Sequence, residues 1–310
     1  MPQGNDKRAS MDLAIGMIFL SQTSIGILGN SFLLCHYFLL YYKKSRLRST
    51  DLILRHMFIA NSFIILSKGL PHTMAAFGFK NFFNEIGCTF VLYIRRIGRG
   101  MSIGTICLLS VFQRITISPM NSCWKDLKVK AQKYIGFLII SCWTLQMVVN
   151  LIFPLYGLYM SGEQYGRNIT KKKDVGHCQI VDYGTVLDLV YTALISFPEF
   201  FFSVLMIWTS GSMVFILYRH KWQVQHIHIT NASLKCPEAR ATQSILLLVI
   251  TFVSFYTLSS IFHLSIALFY NHSFWLMTTS ALISVQDSSI SRIFFVGVRN
   301  KIPSNLVRNI

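Results

Sequence analysis

Long apolar runs separated by short basic connections organise this chain. Seven such runs stand out, at 12–41, 51–77, 88–117, 133–153, 186–218, 241–270 and 274–298. The first six reach or exceed the roughly 20 residues that a helix needs to cross a bilayer core of about 30 Å. The runs are continuously apolar, whereas the strands of a membrane barrel alternate in short stretches. The pattern predicts an all-α membrane protein, a seven-transmembrane-helix bundle with a shortened, atypical seventh helix. Residues 1–11 form an extracellular N-terminus, 12–298 the bundle and 299–310 a short cytoplasmic tail. No internal repeat, low-complexity tract or separate soluble domain interrupts it.

Composition supports the membrane class. Of 310 residues, 53% are hydrophobic and 13% charged, about half the charged share of a soluble domain. Such a chain has too little polar surface to cover a water-soluble fold of its size.

The net charge of +17 changes the picture only through its distribution. A nucleic-acid-binding domain collects its basic residues on one face. Here they fall between the apolar runs, as Lys43, Lys44, Arg46 and Arg48; Lys125, Lys128, Lys130 and Lys133; and Arg219, Lys221, Lys235 and Arg240. Those connections follow the first, third and fifth runs, so the positive-inside rule puts them in the cytosol. The N-terminus is then extracellular and the C-terminus cytoplasmic, in a multi-pass plasma-membrane protein with the lipid bilayer as its solvent and no nucleic-acid partner. Lys171, Lys172 and Lys173 fall on the other side, one exception in a long loop. The ten polar residues before Met11 lead directly into an apolar run that is too long for a signal-peptide core and has no small-residue cleavage site, so the first run is expected to serve as its own targeting signal.

Cysteines and sequons fit that topology. Cys88 and Cys178 both lie on the outer, oxidising side, where a disulfide would pin the second outer loop to the bundle. Cys35, Cys107 and Cys142 fall inside runs and read as small buried hydrophobes, while Cys123 and Cys236 sit in reducing cytosolic loops. The Asn168 sequon faces outward; Asn231 is cytosolic and stays bare, and Asn271 is too close to the bilayer for efficient transfer.

No catalytic constellation is present, and no cofactor or metal site is expected. His226 and His228 lack cysteine partners at zinc spacing, and no glycine-rich phosphate loop follows a strand. The intramembrane charges are more informative. Arg95, Arg96 and Arg99 in "YIRRIGRGMS" share one helix face near the outer end of the third run. Ionisable groups at such depth face a protein interior or a wet cavity, or else their long stems carry the charge out to the headgroups. Glu199, beside the kink expected at Pro198, is a candidate counter-ion, a local polar contact being the alternative. Lys68 reads as helix packing or snorkelling. Tyr256, Ser259, Ser260 and His263 are polar points on the apolar sixth run, suited to interhelical hydrogen bonds or a pocket lining.

Several long stretches carry a family resemblance: "GILGNSFLL", "RLRSTDLIL", "ANSFIILSKGLPHTMAAFG", "RIGRGMSIGTICLLSVFQRITISP", "NITKKKDVGHC", "LYRHKWQVQHIH" and "EARATQSILLLVITFVSFYTLSSIF". Through them the chain resembles the vomeronasal type-1 receptors, seven-helix G-protein-coupled pheromone receptors. The resemblance implies a small-molecule, pheromone-like ligand in the outer half of the bundle, with Arg95, Arg96, Arg99, Glu199, Tyr256 and His263 as candidate pocket residues. It implies a Cys88–Cys178 disulfide and a glycan on Asn168. It also implies an inhibitory-class heterotrimeric G protein as partner, met at Gln113, Arg114, Arg219, Lys221 and Arg240. Val111-Phe112-Gln113 stands where rhodopsin-like receptors carry Asp-Arg-Tyr, a triplet the vomeronasal family also lacks. Arg114 replaces a small or apolar family residue, and Arg95 replaces a common His, giving the pocket mouth a fixed charge.

The last run departs most. "TSALIS", ending at Ser284, is followed after Val285 and Gln286 by "DSSISR", from Asp287 to Arg292. The family pattern has an apolar, proline-containing stretch between these, so about a dozen residues, some three turns, are absent. One helix from Phe274 to Val298 would span about 37 Å, but Asp287 and Arg292 would each cost up to about 3 kcal/mol within the bilayer. The apolar part alone, Phe274 to Val285, reaches only about 18 Å. The expectation is therefore a receptor, with three alternatives: a receptor remnant that inserts without signalling, a bitter-taste-like receptor, and a small transporter or channel. The last lacks the inverted repeats and paired broken helices of that class.

Overall fold

The computed structural model describes residues 3–43, 49–79, 84–118, 122–164, 172–175, 178–181 and 185–227, with isolated helical positions at 250, 254, 257, 258 and 261. Five long helices account for most of these: α1 (Gln3–Lys43), α2 (Ser49–Ala76), α3 (Glu85–Ile117), α4 (Ser122–Gln164) and α5 (Thr185–Ile227). The helices overrun the first five predicted runs at one or both ends, most of all α4. Hydropathy marks the apolar stretch, whereas a helix continues into the polar boundary as long as its backbone hydrogen bonds are satisfied. Of the sixth and seventh runs, only the isolated positions are described; the shortened last segment and the C-terminal tail lie outside the described residues.

Among the described residues, four segments are long and apolar enough to cross a membrane: Leu13–Leu39, Ser49–Ala76, Asp126–Ile152 and Phe197–Ile216. Helix α3 is not among them, and its position explains why. It packs against α2, α4 and α5, while α1 lies on the far side of α2. A helix enclosed by others has little need of a lipid-compatible surface and tolerates charge. The outer helices show the complement, with large apolar side chains directed outward: Phe32 is 72% exposed, Phe137 68% and Phe197 71%. Outward apolar side chains of this kind suit a helix surface that meets lipid.

Close helix approach depends on small residues, because lipid tails supply no hydrophobic drive for helices to associate. In Gly98-Arg99-Gly100, successive residues rotate by about 100° around α3 and meet three different neighbours. A Cβ on Gly98 would meet the Ala60 carbonyl oxygen and the Phe63 Cβ of α2, each at 3.0 Å. A Cβ on Gly100 would run into the Gln146 amide of α4, and Arg99 reaches α5. Gly69 plays the same part toward α1, where an added Cβ would strike Thr23.

The largest apolar cluster joins all five helices. Leu33 and Tyr37, Ile53, Met57 and Phe58, Ile103 and Ile106, Ile135 and Ile139, and Met206 are buried in it. Helix ends are capped locally. Asn84 starts α3 by accepting a hydrogen bond from the Gly87 N–H at 2.8 Å, a standard N-cap contact. Helix α2 ends in a Schellman motif: the Phe79 N–H donates to the Met74 carbonyl and the Gly78 N–H to Ala75. Gly78 takes φ +87° there, a conformation that costs any residue with a Cβ. At the end of α3, Lys128 Nζ donates to the Ser118 carbonyl at 3.1 Å.

The helical architecture expected from the sequence carries one small addition. Strands β1 (Lys172–Val175) and β2 (Cys178–Val181) pair antiparallel in the connection before α5. Two residues, Gly176 and His177, separate them, a spacing with glycine that signals a hairpin. Four-residue strands are too short to register against the long apolar runs on either side. Strand β2 lies against α3 and α4, so the strand pair sits on the bundle.

Candidate functional site

Arg99 and Glu199 form the clearest charged feature. Arg99 Nε donates to Glu199 Oε1 at 3.0 Å, and each side chain is 18% exposed. The pair is 100 residues apart in sequence and links α3 to α5. Glu199 follows Pro198, whose ring removes a backbone hydrogen bond and bends the helix. Ser203 Oγ donates back to the Glu199 carbonyl at 2.8 Å, a contact that also tends to bend helices. The carboxylate thus stands beside the proline of α5 and reaches the enclosed helix α3.

Arg95 and Arg96 occupy the preceding turn of α3 and are half-buried, as Arg99 is. The three guanidiniums therefore concentrate positive charge within two turns. Tyr93, further toward the start of α3, donates its hydroxyl to the Met147 carbonyl of α4 at 3.2 Å. Gln146 lies over Gly100 and accepts from Asn150 Nδ2, through its carbonyl at 2.8 Å and its side chain at 3.3 Å. Pocket candidates Tyr256 and His263 lie outside the described residues.

Cys88, one turn inside the start of α3, is disulfide-bonded. Cys178 opens β2, the strand that packs on α3. Cys35, Cys107 and Cys142 are free thiols; Cys107 is buried and Cys142 half-buried, whereas Cys35, expected to be buried, is exposed on α1, because a position inside an apolar run of an outer helix can face outward as well as inward. Asn168 lies outside the described residues.

At the opposite end of α3, Gln113 and Arg114 are half-buried, and the Arg114 carbonyl accepts from both the Ser118 N–H and its hydroxyl. Arg219 is exposed near the end of α5, and Lys221 lies two residues beyond it in the same helix. Arg240 lies outside the described residues.

Several polar contacts between helices have no counterpart in the sequence analysis. Trp143 Nε1 donates to His56 Nδ1 at 3.2 Å, tying α4 to α2; His56 therefore carries its own proton on Nε2. Ser102 Oγ donates to Asn61 Oδ1 at 2.8 Å, tying α3 to α2. Asn30, Asn61, Gln146 and Asn150 are all buried polar residues in apolar helices. Polar side chains within such runs usually make interhelical bonds, and that is the one signal of them the sequence carries.

A bundle of long apolar helices packed on a charged central helix, with a hairpin folded against it, defines a multi-pass membrane protein of receptor type. Comparison with known proteins gives the family. The model of the vomeronasal organ pheromone receptor family matches residues 13–308. Vomeronasal type-1 receptor 4 of Homo sapiens is 50% identical over 284 residues, covering 91% of this chain and 93% of that protein. Vomeronasal type-1 receptor 3 of Homo sapiens is 48% identical, covering 95% and 94%. Olfactory receptor class A-like protein 1 of Danio rerio is 28% identical, covering 81% and 79%. The chain belongs to the vomeronasal organ pheromone receptor family, a family of receptors and not of enzymes.

Proposed function

We propose that this chain is a chemosensory receptor of the plasma membrane that binds a small-molecule cue between the outer parts of α3 and α5. The Arg99–Glu199 ion pair is the observation that carries this reading. A ligand entering beside it meets charged groups on one helix that is tightly enclosed and on another that carries a proline beside the charge. A ligand that favours one arrangement of these helices over the other shifts their population, and the inner ends of α3 and α5 carry that shift to a G protein of the inhibitory class. Arg95, Arg96, Arg99, Glu199, Tyr256 and His263 line the pocket, and Gln113, Arg114, Arg219, Lys221 and Arg240 face the G protein.

The orientation rests on the basic connections, which put the N-terminus outside and the C-terminus inside. Cys178 is the partner of Cys88, and Asn168 carries a glycan in the same outer loop. The bundle has seven crossings, the last of them shortened. A second reading has its own support: the Val285-Gln286-Asp287 junction leaves too little apolar length for an ordinary crossing. On that reading the chain inserts and binds but does not signal.

The test is ligand-dependent G-protein activation in cells, with the chain as it stands and with an apolar insert of about three turns placed after Ser284. A response from both supports a working receptor. A response only after insertion supports the impaired reading. Silence from both, with surface expression verified, overturns the receptor reading.

A further inference from the structure

Sulfur-bearing side chains from three helices gather near Gly104 of α3, apart from the charged site. Met101 and Cys107 precede and follow the glycine by three residues, so both border its face of the helix. A Cβ built on Gly104 would have Cys142 Sγ of α4 at 3.8 Å and Phe202 of α5 at 4.0 Å as its nearest atoms. Those are ordinary contact distances, so methyl-sized room lies between the glycine and the thiol. Met206 follows Phe202 by one turn of α5 and is buried in the same apolar cluster as Cys107. Cys142 packs on the smaller cluster that holds Met101. Both thiols are free and near enough to each other to interact electrostatically.

The chemistry of these donors is soft. Among the described residues, no group of three His, Cys, Asp or Glu could hold a metal ion, so they offer neither the ligand set of a zinc site nor that of a calcium site. The nearby Thr105 hydroxyl is committed to the carbonyls of Met101 and Ser102. Thiolate and thioether sulfur together select monovalent copper. Charge favours the same ion, because a net charge buried in an apolar interior is costly. One thiolate cancels the single charge of the ion, and thioethers add none.

We infer that Cys107 and Cys142, with Met101 and Met206, form a binding site for a monovalent copper ion that ties α3 to α4 and α5. One S–H bond breaks as a copper–sulfur bond forms, and the proton leaves for solvent past the half-buried Cys142. Copper keeps its oxidation state, so no oxidant or reductant is needed. Each sulfur lies within its own apolar helix, so the sequence displays four apolar residues where the packing makes one ligand set.

The test uses the full-length protein in lipid nanodiscs, with copper(I) supplied from a weak chelator under reducing conditions that exclude oxygen. A charged maleimide first blocks the loop thiols Cys123 and Cys236. The unaltered protein is expected to retain one equivalent of copper, with sulfur as its only ligand in the X-ray absorption spectrum. Copper is also expected to protect Cys142 from a small membrane-permeant alkylating agent while leaving Cys35, exposed on α1, as reactive as before. Both measurements are made on the unaltered protein and need no variant to fold. Cys107→Ser and Cys142→Ser are each expected to lose the bound equivalent, and Cys35→Ser to keep it. No retained copper, a shell containing nitrogen or oxygen, or equal protection of Cys35 and Cys142 would overturn the inference. So would retention of the equivalent in both Cys107→Ser and Cys142→Ser, or a disulfide found between the two thiols before copper is added.

Discussion

Arg99 Nε lies 3.0 Å from Glu199 Oε1, joining the enclosed helix α3 to the residue that follows the proline of α5. An ion pair held inside a bundle is weak support for stability in itself, because desolvation offsets much of the attraction. Removing one partner is a different matter, since the other charge stays where it is. Glu199→Ala and Arg99→Ala are each expected to lower the apparent melting temperature, and the double variant to lose less than the sum. The coupling should be about 0.5–3 kcal/mol. The exchange Arg99→Glu with Glu199→Arg should recover part of the loss. Melting temperatures of these variants in nanodiscs decide it, and strict additivity would show that the contact carries no energy.

Cys88 is disulfide-bonded, and the proposed partner is Cys178 at the start of β2. That link holds the hairpin to α3 and closes a long loop of the chain. Loss of a disulfide typically costs about 2–4 kcal/mol. Cys88→Ser, Cys178→Ser and the double variant should therefore reduce surface expression to the same extent. A membrane-impermeant maleimide should label Cys88→Ser and Cys178→Ser at one new thiol each and leave the unaltered protein unlabelled from outside. A new thiol at any other cysteine in the Cys88→Ser variant would assign the bond differently.

Gly98 and Gly100 predict opposite rescue behaviour. A Cβ on Gly98 meets backbone and a Cβ atom of α2 at 3.0 Å, so Gly98→Ala must push two helices apart. Overpacking of this kind costs about 1–3 kcal/mol. The nearest atoms to a Cβ on Gly100 all belong to the flexible Gln146 amide, so Gly100→Ala should be milder, and Gln146→Ala should restore its stability. Gly211 has nothing within 4 Å of an added Cβ, and Gly211→Ala should be neutral or stabilising by up to about 1 kcal/mol through helix propensity. Thermal unfolding ranks these variants; a Gly98→Ala as mild as Gly211→Ala would contradict the close α2–α3 approach.

How far the sequence reveals this arrangement depends on whether the feature is local. The first five apolar runs announce helices α1 to α5, since period and length are properties of a single segment. Arg95, Arg96 and Arg99 can be placed on one face of α3 for the same reason. The partner of Arg99 can only be suggested, because a contact across 100 residues leaves no periodic trace in either helix. The same holds for Ser102 with Asn61 and Trp143 with His56, whose polar groups are visible in the runs but whose pairing comes from the packing of the helices. The hairpin is hidden for a different reason: four-residue strands in a polar loop carry no amphipathic signal above their surroundings. Gly98 and Gly100 flank an arginine in plain sight, yet their role emerges only when three helices converge on one turn.

The last run bears directly on signalling, and its length makes a prediction about topology. If the segment after Phe274 crosses, Asp287 and Arg292 enter the bilayer at a cost of up to about 3 kcal/mol each. Long apolar flanks, including "RIFFVGV" from Arg292 to Val298, bring the total length to about 37 Å, which suffices. A C-terminal glycosylation tag is therefore expected to stay unmodified, as for a cytoplasmic terminus. Asp287→Leu together with Arg292→Leu should leave the tag result unchanged while raising surface expression, because the insertion cost falls. Glycan on the tag of the unaltered chain would mean that the segment turns back before reaching the inner face. In that case the double substitution, by making the run continuously apolar, should abolish the modification and thereby identify those two charges as the cause.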